Sequence, residues 1–569
     1  MIIETIKLYE MGVFPELFLG IGIIYLVMHG LFVSFNSKNK FPIVTSSIIY
    51  LSILSLIMAC FLLFNDSLIN LNFISFCNTI VNDYLSFSAK MIIGIASIGC
   101  LFLIQQYLIT QQMNSFEYVI IILFAILGLF LLCSANDLIT AYLAIELQSL
   151  SFYVLAAFKK NSTYSVESGL KYFILGAFSS GLFLFGSSLI YGVSGSVNFE
   201  DLKDLILFEC NSFSVKEFFS NKLLEINYLH KQLISEVLNS SNSFNFLQLL
   251  QNYSRTYPIL TDMTTTQLYE YSNLVFMESN ISSDFNNFIL IGLMFIFVSL
   301  FFKLALAPFH LWSPDVYEGS PSSSTLFFAI VPKISIFVLL LRLSHYTFFT
   351  FIDMWEEYIS VIAIGSVIVG SVAGLEQRKF KSLLAYSSIS HMGYLLISFS
   401  AGTIEGFQML FAYLIIYMGS GLCIWSIFML TRLKTTYNKK QNKDLGDFAL
   451  LRKSNNMLAI ILATALFSIA GLPPMIGFMV KLSIFLVAIE QSLYTIALIS
   501  IVFSVVSTFF YLRIVKILFF EPILTGRLYY PINNQKAILV AVLFYLFLFL
   551  FINPSMLYLL SHKVSLLFL

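Results

Sequence analysis

Uncharged apolar runs, each about 20 residues long, recur from one end of this 569-residue chain to the other. Nothing else in the sequence narrows the possible folds as far. A run of that length matches the hydrocarbon thickness of a bilayer when it is helical. In lipid, the backbone N–H and C=O groups must find partners within the chain, and a helix supplies them. About fourteen such runs can be counted by the 20-residue criterion. They centre near residues 23, 54, 98, 125, 148, 180, 297, 333, 365, 390, 418, 468, 504 and 547. The expected fold class is therefore an all-α polytopic membrane protein. Composition agrees, with 58% hydrophobic and 11% charged residues, against about 25% charged in soluble domains. Lys+Arg and Asp+Glu balance at 31 each, which argues against a nucleic-acid partner.

Charge in the loops adds a direction. Lys38 and Lys40, Lys159 and Lys160, and Arg378, Lys379 and Lys381 all fall in odd-numbered loops. So does a basic segment, 432–453, with seven Lys or Arg against Asp444 and Asp447. A polar insert at 198–285 follows the sixth run, with five basic and eleven acidic residues. Lys and Arg favour the cytoplasmic or matrix side in short loops. Both termini and the acidic insert are then expected on the opposite side. The insert reads as an exposed loop with amphipathic helix or as a docking surface.

A few charges sit inside otherwise uncharged runs: Glu146, Lys303, Lys333 and Lys481. Such charges are costly, about 2.5–3.5 kcal/mol each on insertion scales. They persist where they are paired or line a watered path. A lysine in a low dielectric holds its proton less firmly, and a nearby carboxylate restores its hold. One acid and three amines thus suit proton transfer. The alternatives are an inert Glu–Lys pair, or lysines whose ammonium groups snorkel to an interface.

Prolines accompany the lysines. Pro308 follows Lys303, Pro332 directly precedes Lys333, and Pro473–Pro474 precede Lys481. Proline removes a helix hydrogen bond, and broken helices in membranes mark ion sites in transporters built from inverted repeats. Runs seven and twelve each combine a break with a lysine, which predicts two inverted five-helix repeats. The domain division is 1–110 (three helices), 111–346 (first repeat, with the insert), 347–520 (second repeat, with the basic loop) and 521–569 (a last helix). His310 and His391 lie in similar surroundings and are possible relays, since histidine titrates near neutrality. Asp137, Glu167, Lys171 and Asp315, nearer run ends, read as interface anchors. Glu16, at the edge of the first run, could do either job.

The six cysteines form no CxxC pair, and no nucleotide-binding glycine motif is present. No metal or redox site of the chain's own is expected. The N-terminus lacks the features of a cleavable presequence.

The strings LAIELQSLSFYVLAAF, SGLKYFILGAFSSGLFLFGSSLIYG, FKLALAPFHLWSPDVYEGSP, LLAYSSISHMGYLL and FSIAGLPPMIGFMVKLSIF carry a family resemblance. They resemble the subunit 2 family of respiratory NADH:ubiquinone oxidoreductase, complex I, one of its antiporter-like membrane-arm families. The resemblance implies fourteen helices with two inverted repeats and broken helices. It implies proton translocation driven by NADH, FMN, Fe–S and ubiquinone chemistry in other subunits, with no cofactor on this chain. The family's proton-carrying positions fall on Glu146, Lys303, Lys333 and Lys481. Subunits 4 and 4L are the implied neighbours, beside accessory subunits and lipids such as cardiolipin. The mitochondrial inner membrane is the implied location. An Mrp-type cation/proton antiporter is the alternative of the same fold. The family usually has a short loop where this chain carries its acidic insert.

Overall fold

In the computed structural model, residues 13–34, 41–69, 73–111, 113, 115–207, 287–434, 439–441, 444–449, 451–521, 528–529 and 533–568 are described. The acidic insert lies outside the described residues from 208 to 286.

The apolar runs are helices: α1 (Phe14–Ser34), α2 (Phe41–Ile69), α3 (Tyr84–Thr110), α4 (Glu117–Ser134), α5 (Leu138–Ala156) and α6 (Thr163–Ser194). Next come α7 (Asn287–Leu304), α8 (Trp312–Gly319) and α9 (Ser322–Thr347). They are followed by α10 (Ile352–Glu376), α11 (Phe380–Ser400), α12 (Ile404–Leu430), α13 (Asn456–Ala470) and α14 (Ile476–Glu490). The chain closes with α15 (Tyr494–Phe519), α16 (Asn534–Ile552) and α17 (Ser555–Phe568). Among the described residues, twelve helices are long and apolar enough to cross a membrane. Serine-rich α11 and the divided pair α13/α14 account for the other two runs seen in the sequence. Short polar side chains start several of these helices: Asp83, Asp137, Thr403 and Asn455 each accept a backbone N–H of the first turn.

The core runs through the middle of the chain. Helices α9, α11 and α12 are buried almost throughout, whereas α1 and α16 turn most of their length outward. Exposed Ile21, Phe32, Phe61, Leu498 and Tyr545 give the outer helices an apolar surface. In a bilayer, that surface faces lipid rather than water.

Helix α4 packs on α5, and α10 packs on α11, in the same manner. A Cβ on Gly128 would meet the Gln148 nitrogen at 3.0 Å and the Ala144 oxygen at 3.1 Å. A Cβ on Gly370 would meet the Ser390 nitrogen at 2.5 Å and the Tyr386 oxygen at 2.8 Å. The three residues of the second set follow those of the first at one constant spacing along the chain. This register matches the two five-helix repeats, and the divided helices α7/α8 and α13/α14 occupy equivalent ranks within them.

Contacts between loops respect the alternation of sides. On one face, hairpin β1 (Phe73–Ser75) and β2 (Ile80–Asn82) meets the α4–α5 turn and the segment after α6. Asn136 N donates to Thr79 O at 2.9 Å, Asn198 Nδ2 to Asn78 O at 2.8 Å, and Leu138 N to Val197 O at 3.0 Å. All of these are even-ranked loops. On the other face, Lys379 pairs with Glu318, Lys381 Nζ donates to Ser320 O at 2.8 Å, and Arg513 donates to Leu375 O and Gln377 O. There β3 (Arg432–Lys434) pairs with β4 (Lys439–Gln441) and β5 (Leu528–Tyr529). These are odd-ranked loops, so the helix count and the loop contacts agree.

The Gly370 contact is checkable. Gly370→Ala forces backbone against backbone and should cost about 1–3 kcal/mol. Gly181→Ala, where an added Cβ meets nothing within 4 Å, should be neutral. Thermal unfolding of the two detergent-solubilised variants measures the difference; equal melting would refute this close approach.

Candidate functional site

Lys303 is the penultimate residue of α7. The helix stops there because Ala305 adopts a positive φ of 60° and Pro308 offers no N–H. Ala305 N donates to Phe302 O and Leu306 N to Phe301 O, while Trp312 Nε1 seals Phe302 O at 2.9 Å. An ammonium at a helix C-terminus meets the negative end of the helix dipole. Lys303 Nζ also donates to the Tyr153 hydroxyl at 3.4 Å. Tyr153 has room because Gly176 faces it: a Cβ there would lie 2.0 Å from the hydroxyl.

Lys481 uses the second break in the same way. Helix α13 ends at Gly471, whose φ of 78° suits glycine. The break leaves Ala470 O free of helical bonding, and Lys481 Nζ donates to it at 2.9 Å. A Cβ on Gly471 would press against Lys481 Cδ at 2.7 Å. The ammonium also lies 5.1 Å from the centre of the Tyr394 ring.

Lys333 stands in the centre, on α9, with 4% of its surface exposed. Its Nζ donates to the Tyr417 hydroxyl at 2.8 Å, and that hydroxyl donates to Ala329 O at 3.3 Å. A cavity of about 20 Å³ is lined by both Lys303 and Lys333, with Gln148, Tyr172, Tyr317 and Trp312. That volume suits about one water molecule. Gln148 Oε1 is buried there without a hydrogen-bond partner among the described residues.

His391 lies between Lys333 and Lys481. Its Nδ1 shares a hydrogen bond with the Tyr413 hydroxyl at 2.7 Å, and its Nε2 one with Tyr511 at 2.9 Å. The Tyr417 ring centre is 5.8 Å from that of His391, and the Tyr394 ring centre is 6.1 Å away. The order Lys303, cavity, Lys333, Tyr417, His391, Tyr394, Lys481 is thus one row across both repeats, half-buried at Lys303 and buried beyond it. Each ammonium finds a hydroxyl, a carbonyl or a ring face.

Glu146 does not join this row by an ion pair. No carboxylate oxygen of Glu146 lies within 4.0 Å of an ammonium or guanidinium group among the described residues. It is half-buried on α5, between Leu143 at 60% and Leu150 at 53% exposure. The helical period puts these three on one face, so Glu146 sits at the rim of the chain. The Glu–Lys pair considered from the sequence is therefore replaced by Lys303 with Tyr153. His310 lies half-buried in the break after α7 and does not line the cavity. Lys171 pairs with Glu167 at 3.0 Å and Asp315 at 2.9 Å on an exposed surface, and Asp137 caps α5. Lys171 thus ties α6 to α8, and Asp137 closes the first turn of α5.

Sequence reasoning passed over Tyr153, Tyr394, Tyr413, Tyr417 and Tyr511, because thirty tyrosines offer no way to choose among them. It also passed over Lys90. That lysine lies only seven residues into α3, and its partner Glu16 is far away in sequence.

Residues 135–230 and 253–507 match the family model described as NADH:quinone oxidoreductase/Mrp antiporter, TM. The chain is 35% identical to NADH-ubiquinone oxidoreductase chain 2 of Marchantia polymorpha, covering 98% of both chains. It is 34% identical to NADH-quinone oxidoreductase subunit N of Pelagibacter ubique, covering 90% of this chain and 89% of that one. A chain of respiratory complex I from Thermus thermophilus superposes with a TM-score of 0.70 at 23% identity, over 96% of this chain and 99% of that one. A chain of the Mrp complex from Dietzia superposes at 0.69 with 16% identity, over 98% and 97%. The last two establish a shared fold, and the matched residues with the near-full-length relatives establish more: the chain belongs to the NADH:quinone oxidoreductase/Mrp antiporter transmembrane family.

Proposed function

We propose that this chain is the antiporter-like membrane subunit of an NADH:ubiquinone oxidoreductase and moves protons along the row from Lys303 to Lys481. The carrying observation is the row itself: three lysines and a histidine in one line, Lys303 half-buried and the others buried, each bonded to a group that can pass or tolerate a proton. Two ammonium groups beside one small cavity repel each other in a low dielectric. Protonating Lys303 therefore favours release from Lys333, and the reverse. A water in the cavity would carry the proton between them. His391 can accept a proton at one ring nitrogen and release another from the second, so it joins the Lys333 side to the Lys481 side. Electron transfer, with NADH, FMN, Fe–S clusters and ubiquinone, is assigned to other subunits.

Glu146 takes a different role in this scheme. A carboxylate at the chain's rim is expensive in lipid, so a neighbouring subunit covers it and exchanges protons with it. Subunits 4 and 4L are the neighbours proposed, with accessory subunits and lipids such as cardiolipin around them. The mitochondrial inner membrane is the proposed location. The basic odd-ranked loops would face the matrix, leaving the termini and the acidic insert on the intermembrane-space side.

An Mrp-type cation/proton antiporter is a second reading, favoured by the fold shared with the Dietzia complex. Co-purification separates the two readings. The first requires flavin and Fe–S proteins to isolate with the chain; a preparation free of both, still exchanging sodium for protons, would establish the second.

In the assembled complex, Lys303→Met, Lys333→Met and Lys481→Met should each slow NADH-driven proton translocation and quinone reduction by about tenfold or more. Normal pumping by the assembled Lys333→Met variant would remove it from the path. His391→Phe keeps the ring volume and loses both nitrogens, so it should impair pumping more than Tyr511→Phe, which loses one hydroxyl. Equal rates in these two variants would contradict a relay through His391.

A further inference from the structure

We propose that Glu16 and Lys90 form a further proton-carrying station, joined through Asp83 and Arg342 to the helix of Lys333. This rests on the proton-path reading above and extends it to the face where α3 begins. Glu16 Oε1 lies 2.5 Å from Lys90 Nζ, with side-chain exposures of 2% and 1%. Neither oxygen of Glu16 has a hydrogen-bond partner among the described residues beyond this ionic contact. Lys90 Nζ also donates to Asn82 Oδ1 at 3.2 Å. The next residue, Asp83, accepts from Arg342 Nη2 at 2.6 Å and from Ser86 N at 2.9 Å. Asn82 and Asp83 are adjacent in the chain, so the two pairs are neighbours.

Three features set this cluster apart from a staple. A buried ion pair seldom stabilises more than apolar residues of equal volume, and Glu16 leaves most of its accepting capacity unused. Exposure rises from 2% at Glu16 to 15% at Asp83, so the cluster opens from a closed site toward the membrane edge. Arg342 stands on α9, nine residues or about 14 Å beyond Lys333. It begins a π-wound turn, Arg342–Thr347, and such turns are frequent at functional sites.

The step balances in protons. A proton released from the Lys333 side neutralises the Glu16 carboxylate. Lys90 then lacks a counter-ion and releases its own proton along Asn82 and Asp83. The Glu16 proton passes to the Lys90 amine, restoring carboxylate and ammonium. One proton enters and one leaves.

The test uses the whole respiratory complex in proteoliposomes, with Glu16→Met/Lys90→Met beside Lys303→Met. The double variant removes both charges together and keeps the volume, so a staple would be replaced without loss. We expect proton translocation to fall about tenfold. If the double variant pumps at the parental rate while Lys303→Met is blocked, this station is refuted and the central row stands. If both pump normally, the proton-path reading fails with it. Should the double variant not assemble, Glu16→Asp keeps the charge, and turnover-induced infrared difference spectra replace the assay. A protonated-carboxyl band that moves in Glu16→Asp supports the station, and an unchanged spectrum overturns it.

Discussion

An ammonium group inside hydrocarbon needs negative charge close by, and along the central row that charge is not a carboxylate. The structure answers with partial charges. Lys481 takes the carbonyl of Ala470, freed where α13 ends. Lys303 sits at the C-terminal end of α7, and Lys333 takes the Tyr417 hydroxyl. Breaking two helices in mid-membrane is thus the condition for holding lysines there without carboxylates. Backbone carbonyls and phenols stabilise the charged form, yet they do not move to follow the proton. The rest of the core follows from that arrangement, including the glycines that let Tyr153 and Lys481 lie close to neighbouring backbone.

Much of this was legible in the sequence. Apolar runs of bilayer length gave the helix number, because a helix is the local answer to a missing solvent. Prolines beside Lys303 and Lys481 marked the breaks, since a missing N–H is a property of the residue itself. Loop charges gave the alternation of sides, and the loop contacts bear it out through Lys379 with Glu318 and Asn136 with Thr79. Partnership across the bundle was not legible. Glu146 and Lys303 seemed a natural pair by charge, but the face of α5 turns Glu146 to the rim beside Leu143 and Leu150. That orientation depends on where α6 and α8 pack, which no local pattern encodes. Glu16 with Lys90 has the opposite history. Glu16, at the edge of the first run, was open to either role and Lys90 drew no notice, because only the packing of α1 and α3 on the shared helices α2 and α4 brings the two together and buries both.

The two repeats share a register but divide their chemistry. The spacing that relates Gly128 to Gly370 places Ser388 opposite Glu146, and Ser149 opposite His391. One repeat therefore carries a carboxylate at its rim, and the other carries an imidazole in its centre. Duplication supplied two half-sites with equivalent breaks. Divergence at these two positions made one suited to exchange with a neighbour and the other to internal transfer.

This division explains why the row is continuous within the chain and open at its edge. His391 is held on both ring nitrogens by Tyr413 and Tyr511, so its orientation is fixed and its proton can be handed on at either side. Glu146 has no such clamp. A carboxylate that must answer to a neighbouring chain gains from staying unpaired within its own, because its charge is then left for the neighbour to meet. The absence of an ion pair between Glu146 and Lys303 is therefore consistent with a rim site that answers to a neighbour.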